Sequence, residues 1–299
     1  MNRSYHLWRR LFLPLMAALL VLSGCAAEAV PRENTAAAEA VPRENAAPAG
    51  TDAPDSSQDD FPPFHVAVSC WSAWAAVVDW YYAEENRQEA FSLDDLCVQE
   101  PLEQCIEGLK TGARDVIVIP WNDEISQELA AYRSLPLFMD AIVFVRSNSE
   151  NNGGWDLTSE RVRQAFTEES TVYWDAERTD PIIPAAGYTG METEIWQLIS
   201  RLFGFEASGQ VLDASEFDNP VQAVAASGRE GSSLWPYYAS CLNGDMGING
   251  EVISVDGVFP SGETIGDGSY PYGFTLRAVF SSESANDDAI LAFARALAR

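Results

Sequence analysis

A glycine-rich turn at Thr189 and Gly190 leads into a helix start that could bind an anion. Apolar residues then recur at spacings of three and four, which predicts a helix: Ile195, Leu198, Ile199, Leu202 and Phe203. Thr189 can cap this helix, and the unpaired amides of a helix start attract negative charge. Two acids, Glu192 and Glu194, lie in its first turn, and no Arg or Lys is near in sequence. The helix start therefore provides amides that could bind an anion, but the neighbouring sequence provides no cation to pair with that anion.

Groups for acid–base or nucleophilic catalysis are scarce after residue 24. The chain has one His there, His65, and one Lys, Lys110. A hydrolase needs such a base beside its nucleophile, and the spacings of Cys and His do not fit a zinc site. The acid pairs Asp94-Asp95 and Asp287-Asp288 are typical of helix starts. We therefore expect a binding protein and not an enzyme, with no metal or other cofactor.

Four cysteines follow residue 25: Cys70, Cys97, Cys105 and Cys241. Outside the cytoplasm an even number permits disulfides, and four cysteines allow three pairings. Cys97 and Cys105 are close in sequence and flank a predicted turn at Glu100-Pro101, so we predict that these two form a disulfide. Buried free thiols are the alternative.

Residues 1–24 predict a lipoprotein signal peptide. Three Arg precede a short apolar run at 11–22, which is too short to span a bilayer comfortably as a permanent helix. The run ends in Leu22-Ser23-Gly24-Cys25, which resembles a bacterial lipobox. Such signals are cleaved before the Cys, which is then acylated; the alternative is an ordinary secretion signal with a chance Cys. The resemblance implies an extracytoplasmic bacterial protein that is anchored to the cell membrane by lipid on Cys25.

Residues 25–60 are unsuited to a packed core, because Ala, Pro, Glu and Asp dominate and EAVPREN occurs twice, at 28–34 and 39–45. We interpret this segment as a flexible, acidic tether between the membrane and a folded domain at 61–299.

Without the signal the chain has 15 basic and 45 acidic residues, a formal net charge of −30. Such acidity argues against nucleic acid as a partner, and it is unfavourable for anionic ligands that lack local cations.

Strands and helices alternate along residues 61–299, which predicts an α/β fold with largely parallel sheets. Apolar runs predict strands at 64–70, 115–120 and 137–147. Segments with one apolar face predict the helices between the strands, and Thr158 is expected to cap one of them. The length is natural for two lobes.

Several segments resemble the phosphate-type substrate-binding proteins of ABC importers. The most specific is SVDGVFPSGETIGDGSYPYGFTLRAVF at 254–280, which is similar to the family's Val-Asp-Gly-Val-x-Pro turn, Gly-x-Tyr-Pro and hinge-side strand. DAIVFVRSNSEN at 140–151, LTSERVRQAFTEESTVYW at 157–174 and PIIPAAGYTGMETEIW at 181–196 follow the family's order. The resemblance covers about residues 64–299.

This resemblance implies a two-lobed, periplasmic-binding-protein-like fold of type II, in which two crossing strands form a hinge and the ligand lies between the lobes. Lobe 1 is expected to contain 64–138 and 254–299, and lobe 2 to contain 139–253. The resemblance also implies a monomer that binds a small solute or anion and delivers it to an ABC permease.

The chain departs from the family where the ligand would bind. The family's phosphate-clamping Arg is replaced by Ala185 or Ala186, and its Ser-Gly-Thr reads Thr189-Gly190-Met191. Its first-strand motif, Asp-Gly-Ser-Thr-Ser, reads Val68-Ser69-Cys70-Trp71-Ser72, and its second donor motif falls near Gln99-Glu100-Pro101. Each lost bond to a charged group removes about 1.5–3 kcal/mol. We therefore expect phosphate to bind weakly or not at all, and a neutral or cationic solute to suit the cleft better.

Carried onto this chain, the family's motifs predict six ligand-binding residues: Ser69, Trp71, Ser72, Thr189, Gly190 and Met191. The sequence thus predicts a lipid-anchored solute-binding protein whose ligand need not be phosphate. The alternative is a degenerate domain of the same fold that acts as a surface scaffold or sensor without a small-molecule ligand.

Overall fold

The computed structural model describes residues 64–83, 91–147, 154–175, 177–186, 192–207, 211–214, 217, 220–243, 250–283 and 286–298. The predicted signal, Cys25 and tether lie outside these residues. The chain divides into two units, Met1–Ser57 and Gln58–Arg299, and all the described residues belong to the second. Among them, no helix has the length and apolar character that crossing a membrane requires.

The first part of this unit alternates short strands with helices. Its elements are β1 (Val66–Val68), α1 (Trp71–Tyr82), α2 (Leu93–Leu96), β2 (Cys97–Gln99), α3 (Leu102–Thr111), β3 (Val116–Trp121) and α4 (Asp123–Glu128). β1 and most of β3 are buried, as their continuous apolar sequences predict. Local signals set the helix ends: Gly112 ends α3 with a φ of 74°, and the Asn122 side chain caps α4.

A long strand, β4 (Arg133–Ser147), connects this part to the rest of the unit. The elements that follow are β5 (Asp156–Leu157), α5 (Ser159–Thr167), β6 (Ile182–Ala186), α6 (Glu192–Phe203), β7 (Leu212–Asp213), α7 (Pro220–Ser227), β8 (Ser232–Tyr238), a 3₁₀ helix (Ala239–Asn243), β9 (Gly250–Val252), β10 (Ser254–Val255), α8 (Gly262–Gly266), β11 (Gly273–Phe280) and α9 (Asp287–Leu297). The predicted cap of α5 is confirmed, because the Thr158 side chain accepts a bond from the Arg161 amide.

The strands form a mixed sheet in the order β2-β1-β3-β11-β4-β8-β6-β7, with β9 also paired to β4. We call β2, β1, β3 and β11 the first half-sheet, and β8, β6 and β7 the second half-sheet. β4 pairs antiparallel with β11 through Ala141, and antiparallel with β8 and β9 from Ile142 onward. The α/β class is confirmed. The expectation of largely parallel sheets is wrong for the centre, because β4 and β11 run antiparallel there, whereas β1–β3 and β6–β8 are parallel pairings.

The structure does not form the predicted disulfide between Cys97 and Cys105. Cys97 packs in the large core with Val68, whereas Cys105 packs in a smaller core with Ala67. Because successive side chains of β1 point to opposite faces of the sheet, the two thiols belong to cores on opposite sides. The Cys105 thiol instead contacts the Glu100 carbonyl oxygen at 3.5 Å. All four described cysteines are buried free thiols: Cys70, Cys97, Cys105 and Cys241.

Replacing Gly231 with Ala is expected to lower the free energy of unfolding by about 1–3 kcal/mol. Gly231 precedes β8 with a φ of +135°, and an added Cβ would lie 2.4 Å from the Pro181 carbonyl oxygen. Gly262→Ala is the matched control, because nothing lies within 4 Å of its Cβ position. Urea denaturation of both variants measures the effect, and equal stabilities would contradict it.

Candidate ligand site

Helix α1 begins with amides that its own N-cap residue does not satisfy. β1 ends at Val68, and Ser69 and Cys70 lead directly into α1 at Trp71. Cys70 is the N-cap with an extended backbone (φ −149°, ψ 159°), and its side chain makes no capping hydrogen bond. The first amides of α1 are therefore left for another acceptor.

A carboxylate from a distant part of the chain is that acceptor. Glu194 lies in the first turn of α6, and its Oε1 accepts from the Trp71 amide at 2.6 Å. The same oxygen accepts from the Tyr238 hydroxyl at 2.8 Å, and Oε2 accepts from Gln99 Nε2 at 2.5 Å. The donors come from α1, from the end of β8 and from the end of β2. One carboxylate thus connects the first half-sheet to the second.

All three of these donors to Glu194 are neutral. No ion pair between described residues includes Glu194. Ala185, one of the two positions where the family's Arg was expected, is buried in β6. Burial outweighs the hydrogen bonds and raises the pKa of Glu194 to about 7. Above that pH Glu194 is ionised, and these three neutral donors stabilise its negative charge.

A second buried carboxylate, Asp140, lies in the middle of β4. It accepts from the Ala141 amide at 2.8 Å and from the Ser240 amide and hydroxyl at 3.0 and 2.8 Å. The Ser72 hydroxyl also bonds to it, but burial dominates and raises the pKa of Asp140. Burial raises the pKa of Tyr238, and the nearby charges of Glu194 and Asp140 raise it further. Two buried acids therefore lie near the start of α1.

A small pocket lies beside the Glu194 carboxylate. The pocket, which has room for about one water molecule, is lined by Ser69, Leu102, Pro120, Glu194, Gln197 and Leu198. The Ser69 hydroxyl is buried and has no hydrogen-bond partner. Since buried polar groups are normally paired, this hydroxyl is available to a polar group that enters the pocket.

Three of the six predicted ligand residues meet at the start of α1: Ser69, Trp71 and Ser72. Ser69 and Ser72 are buried, and the Trp71 side chain is half-buried. The other three lie outside the described residues: Thr189, Gly190 and Met191.

Glu194 and Gln99 were not predicted as site residues, whereas the sequence 235–238, which ends in Tyr238, was a candidate lining of an aromatic cleft or part of the core. An acid in the first turn of α6 is expected to complement its own helix start, yet Glu194 reaches the start of α1. In the second donor motif it is Gln99 that turns toward the site, because the Glu100 carboxylate pairs with Arg114. No local pattern links these positions; the fold brings them together.

No protein-family model matches the sequence, and no curated protein matches it. Solved structures do match its fold. An ABC-type phosphate transport receptor from Vibrio cholerae aligns with a TM-score of 0.58 and 13% identity over 79% of this chain and 93% of that one. A phosphate ABC transporter substrate-binding protein from Clostridium perfringens, with bound phosphate, aligns with a TM-score of 0.52 and 16% identity over 77% and 91%. The chain has the type II periplasmic-binding-protein-like fold.

Proposed function

We propose that this chain is a lipid-anchored, extracytoplasmic solute receptor of the ABC-importer type, whose ligand is not phosphate. The observation that carries the proposal is the Glu194 carboxylate, which accepts from the Trp71 amide at the start of α1. The related fold holds phosphate in the Clostridium perfringens protein. In this chain a carboxylate takes the donors that a bound anion would need.

Electrostatics make phosphate an unfavourable ligand for this site. A phosphate dianion beside Glu194 and Asp140 would place like charges together in a buried region, at a cost of several kcal/mol. No Arg or Lys pairs with Glu194 among the described residues to offset that cost. A neutral or cationic solute avoids the repulsion, and the half-buried Trp71 offers an aromatic surface to it.

The proposed lobes are 64–138 with 254–299, and 139–253, with β4 and β9 as the crossing strands. The pairing of β4 supports this division, because its first part joins β11 and its second part joins β8 and β9. Solute binding would then change the angle between the lobes, and a permease would recognise the closed form.

A second candidate function is a surface scaffold or sensor of the same fold that binds no solute. The Glu194 contacts favour it, because they already connect the two half-sheets as a ligand would. The two candidates differ in whether any small molecule stabilises the protein.

Thermal-shift and calorimetric titration of the full chain with neutral, cationic and anionic solutes separates them. The receptor predicts saturable binding of a neutral or cationic solute, and no binding of phosphate at physiological salt. Micromolar binding of phosphate would overturn the exclusion of phosphate, and no binding across a broad panel would favour the scaffold.

Replacing Cys25 with Ala is expected to leave uncleaved precursor or soluble protein, because the acyl chains of the proposed anchor attach to that Cys. Fractionation of cells and the mass of the product measure the effect. Cys241→Ala is the control, since Cys241 is a buried thiol of the folded unit. A Cys25→Ala protein that is processed and membrane-bound like the native chain would show that the lipobox interpretation is wrong.

A further inference from the structure

We infer that the Glu194 carboxylate is a built-in anion, which fills the position that a free oxyanion would take against α1 and so closes a latent oxyanion site. Removal of this one side chain is then expected to convert the chain into a binder of small oxyanions.

The donors around Glu194 form an anion cradle. A backbone amide at a helix start, a side-chain amide and a phenol hydroxyl converge on two oxygens within 2.5–2.8 Å. α1 has 12 residues, long enough for a helix dipole, and its N-cap side chain leaves the first amides open. These groups donate to any acceptor placed among them, and here that acceptor comes from the chain itself.

The unpaired hydroxyl of Ser69 supports a site larger than a carboxylate. It is buried, has no partner and lines the same pocket as Glu194. The two oxygens of the Glu194 carboxylate accept from Trp71, Gln99 and Tyr238, and neither of them bonds to Ser69. A tetrahedral oxyanion has four, so it can keep those bonds and accept from Ser69 as well.

This inference deepens the proposed function, and it rests on that function only for the claim that the cradle belongs to the ligand cleft. It gives the physical reason for the exclusion of anions: the native site already contains one. The proposed function is tested with solutes on the native chain, whereas the built-in anion is tested with oxyanions on a variant. Either can therefore fail alone.

The experiment is calorimetric titration of the full chain, in detergent at pH 8, with phosphate, sulfate and acetate. At this pH the native Glu194, whose pKa is about 7, is ionised. Glu194→Ala is expected to bind phosphate or sulfate at least about tenfold more tightly than the native chain. Glu263→Ala, which removes an exposed charge elsewhere, is the control and is expected to behave like the native chain.

Ser69 provides an internal check. Adding Ser69→Ala to Glu194→Ala is expected to weaken phosphate binding several-fold and to leave acetate binding unchanged, because only the tetrahedral anion reaches that hydroxyl. A folded Glu194→Ala protein with no gain in oxyanion binding would overturn the inference. If Glu194→Ala does not fold in plain buffer, phosphate or sulfate is expected to restore its thermal unfolding transition. Sodium chloride of equal ionic strength is the control and is not expected to restore it. Failure of phosphate and sulfate to restore the transition would also overturn the inference.

Discussion

Replacing Arg146 with Ala is expected to lower the free energy of unfolding by about 3–5 kcal/mol. Arg146 is 2% exposed, and its Nη2 bonds to Asp180 at 2.5 Å and to the Ser232 hydroxyl at 3.1 Å. Its guanidinium also lies 4.0 Å from the ring centroid of Trp155 and 4.8 Å from that of Trp174. The substitution leaves Asp180 without its buried partner and removes packing between two aromatic rings.

Arg163→Ala is the matched control for this prediction. Arg163 pairs with Glu160 three residues earlier on α5, and both side chains are largely exposed. Such a pair contributes about 0–1 kcal/mol. Urea denaturation of the two variants measures the contrast, and a loss in Arg146→Ala within 1 kcal/mol of the control would contradict the structural role given to Arg146.

The second large effect is a pH dependence of stability that comes from Glu194. Its pKa is about 7 in the folded protein, against 4.5 for an ordinary Glu side chain. Between these values the folded state binds more protons at this residue than the unfolded state, so its contribution to stability falls as pH rises through the window and is constant above it. A shift of this size corresponds to about 3 kcal/mol.

Glu194→Gln isolates this contribution, because it has no titrating proton and nearly the same shape. The stability of Glu194→Gln minus that of the native chain is expected to increase by about 3 kcal/mol between pH 4.5 and pH 8. Burial raises the pKa values of Cys70 and Tyr238, so both stay protonated throughout this pH range, and Asp140 is present in both proteins. Urea denaturation at several pH values measures it, and a constant difference would show that Glu194 titrates normally.

The sequence predicts the elements well where local signals are strong. The apolar run at 115–120 becomes β3, and Thr158 caps α5 as expected. No strand was predicted at the position of β8, which contains Pro236, a residue that disfavours the interior of a sheet. In the structure, β8 pairs with β6 only through residues 232–234, so Pro236 faces a partner on the β4 side alone.

The site could be predicted only in part, for a physical reason. Ser69, Trp71 and Ser72 were predicted from the resemblance to the family's first-strand motif, and in the structure they follow a buried strand and open a helix. Gln99, Glu194 and Tyr238 join them through the order of strands in the sheet, which no local pattern encodes. The sequence shows that the family's phosphate-clamping Arg is absent. It does not show that the Glu194 carboxylate lies among the donors.

The disulfide between Cys97 and Cys105 was predicted from proximity along the chain, and the fold overrides that argument. A strand and a helix can be neighbours and still send their side chains into different cores, as these two do. Burial also raises the pKa of Cys97 to about 12, which keeps this thiol protonated and unreactive.

A crystal structure of the native chain grown at pH 8 in phosphate would show which anion occupies the start of α1. We expect the Glu194 carboxylate between the Trp71 amide, Gln99 and Tyr238, at hydrogen-bond distances close to 2.5–2.8 Å, with no phosphate there. A phosphate ion on those three donors, with the Glu194 side chain turned away, would contradict this expectation.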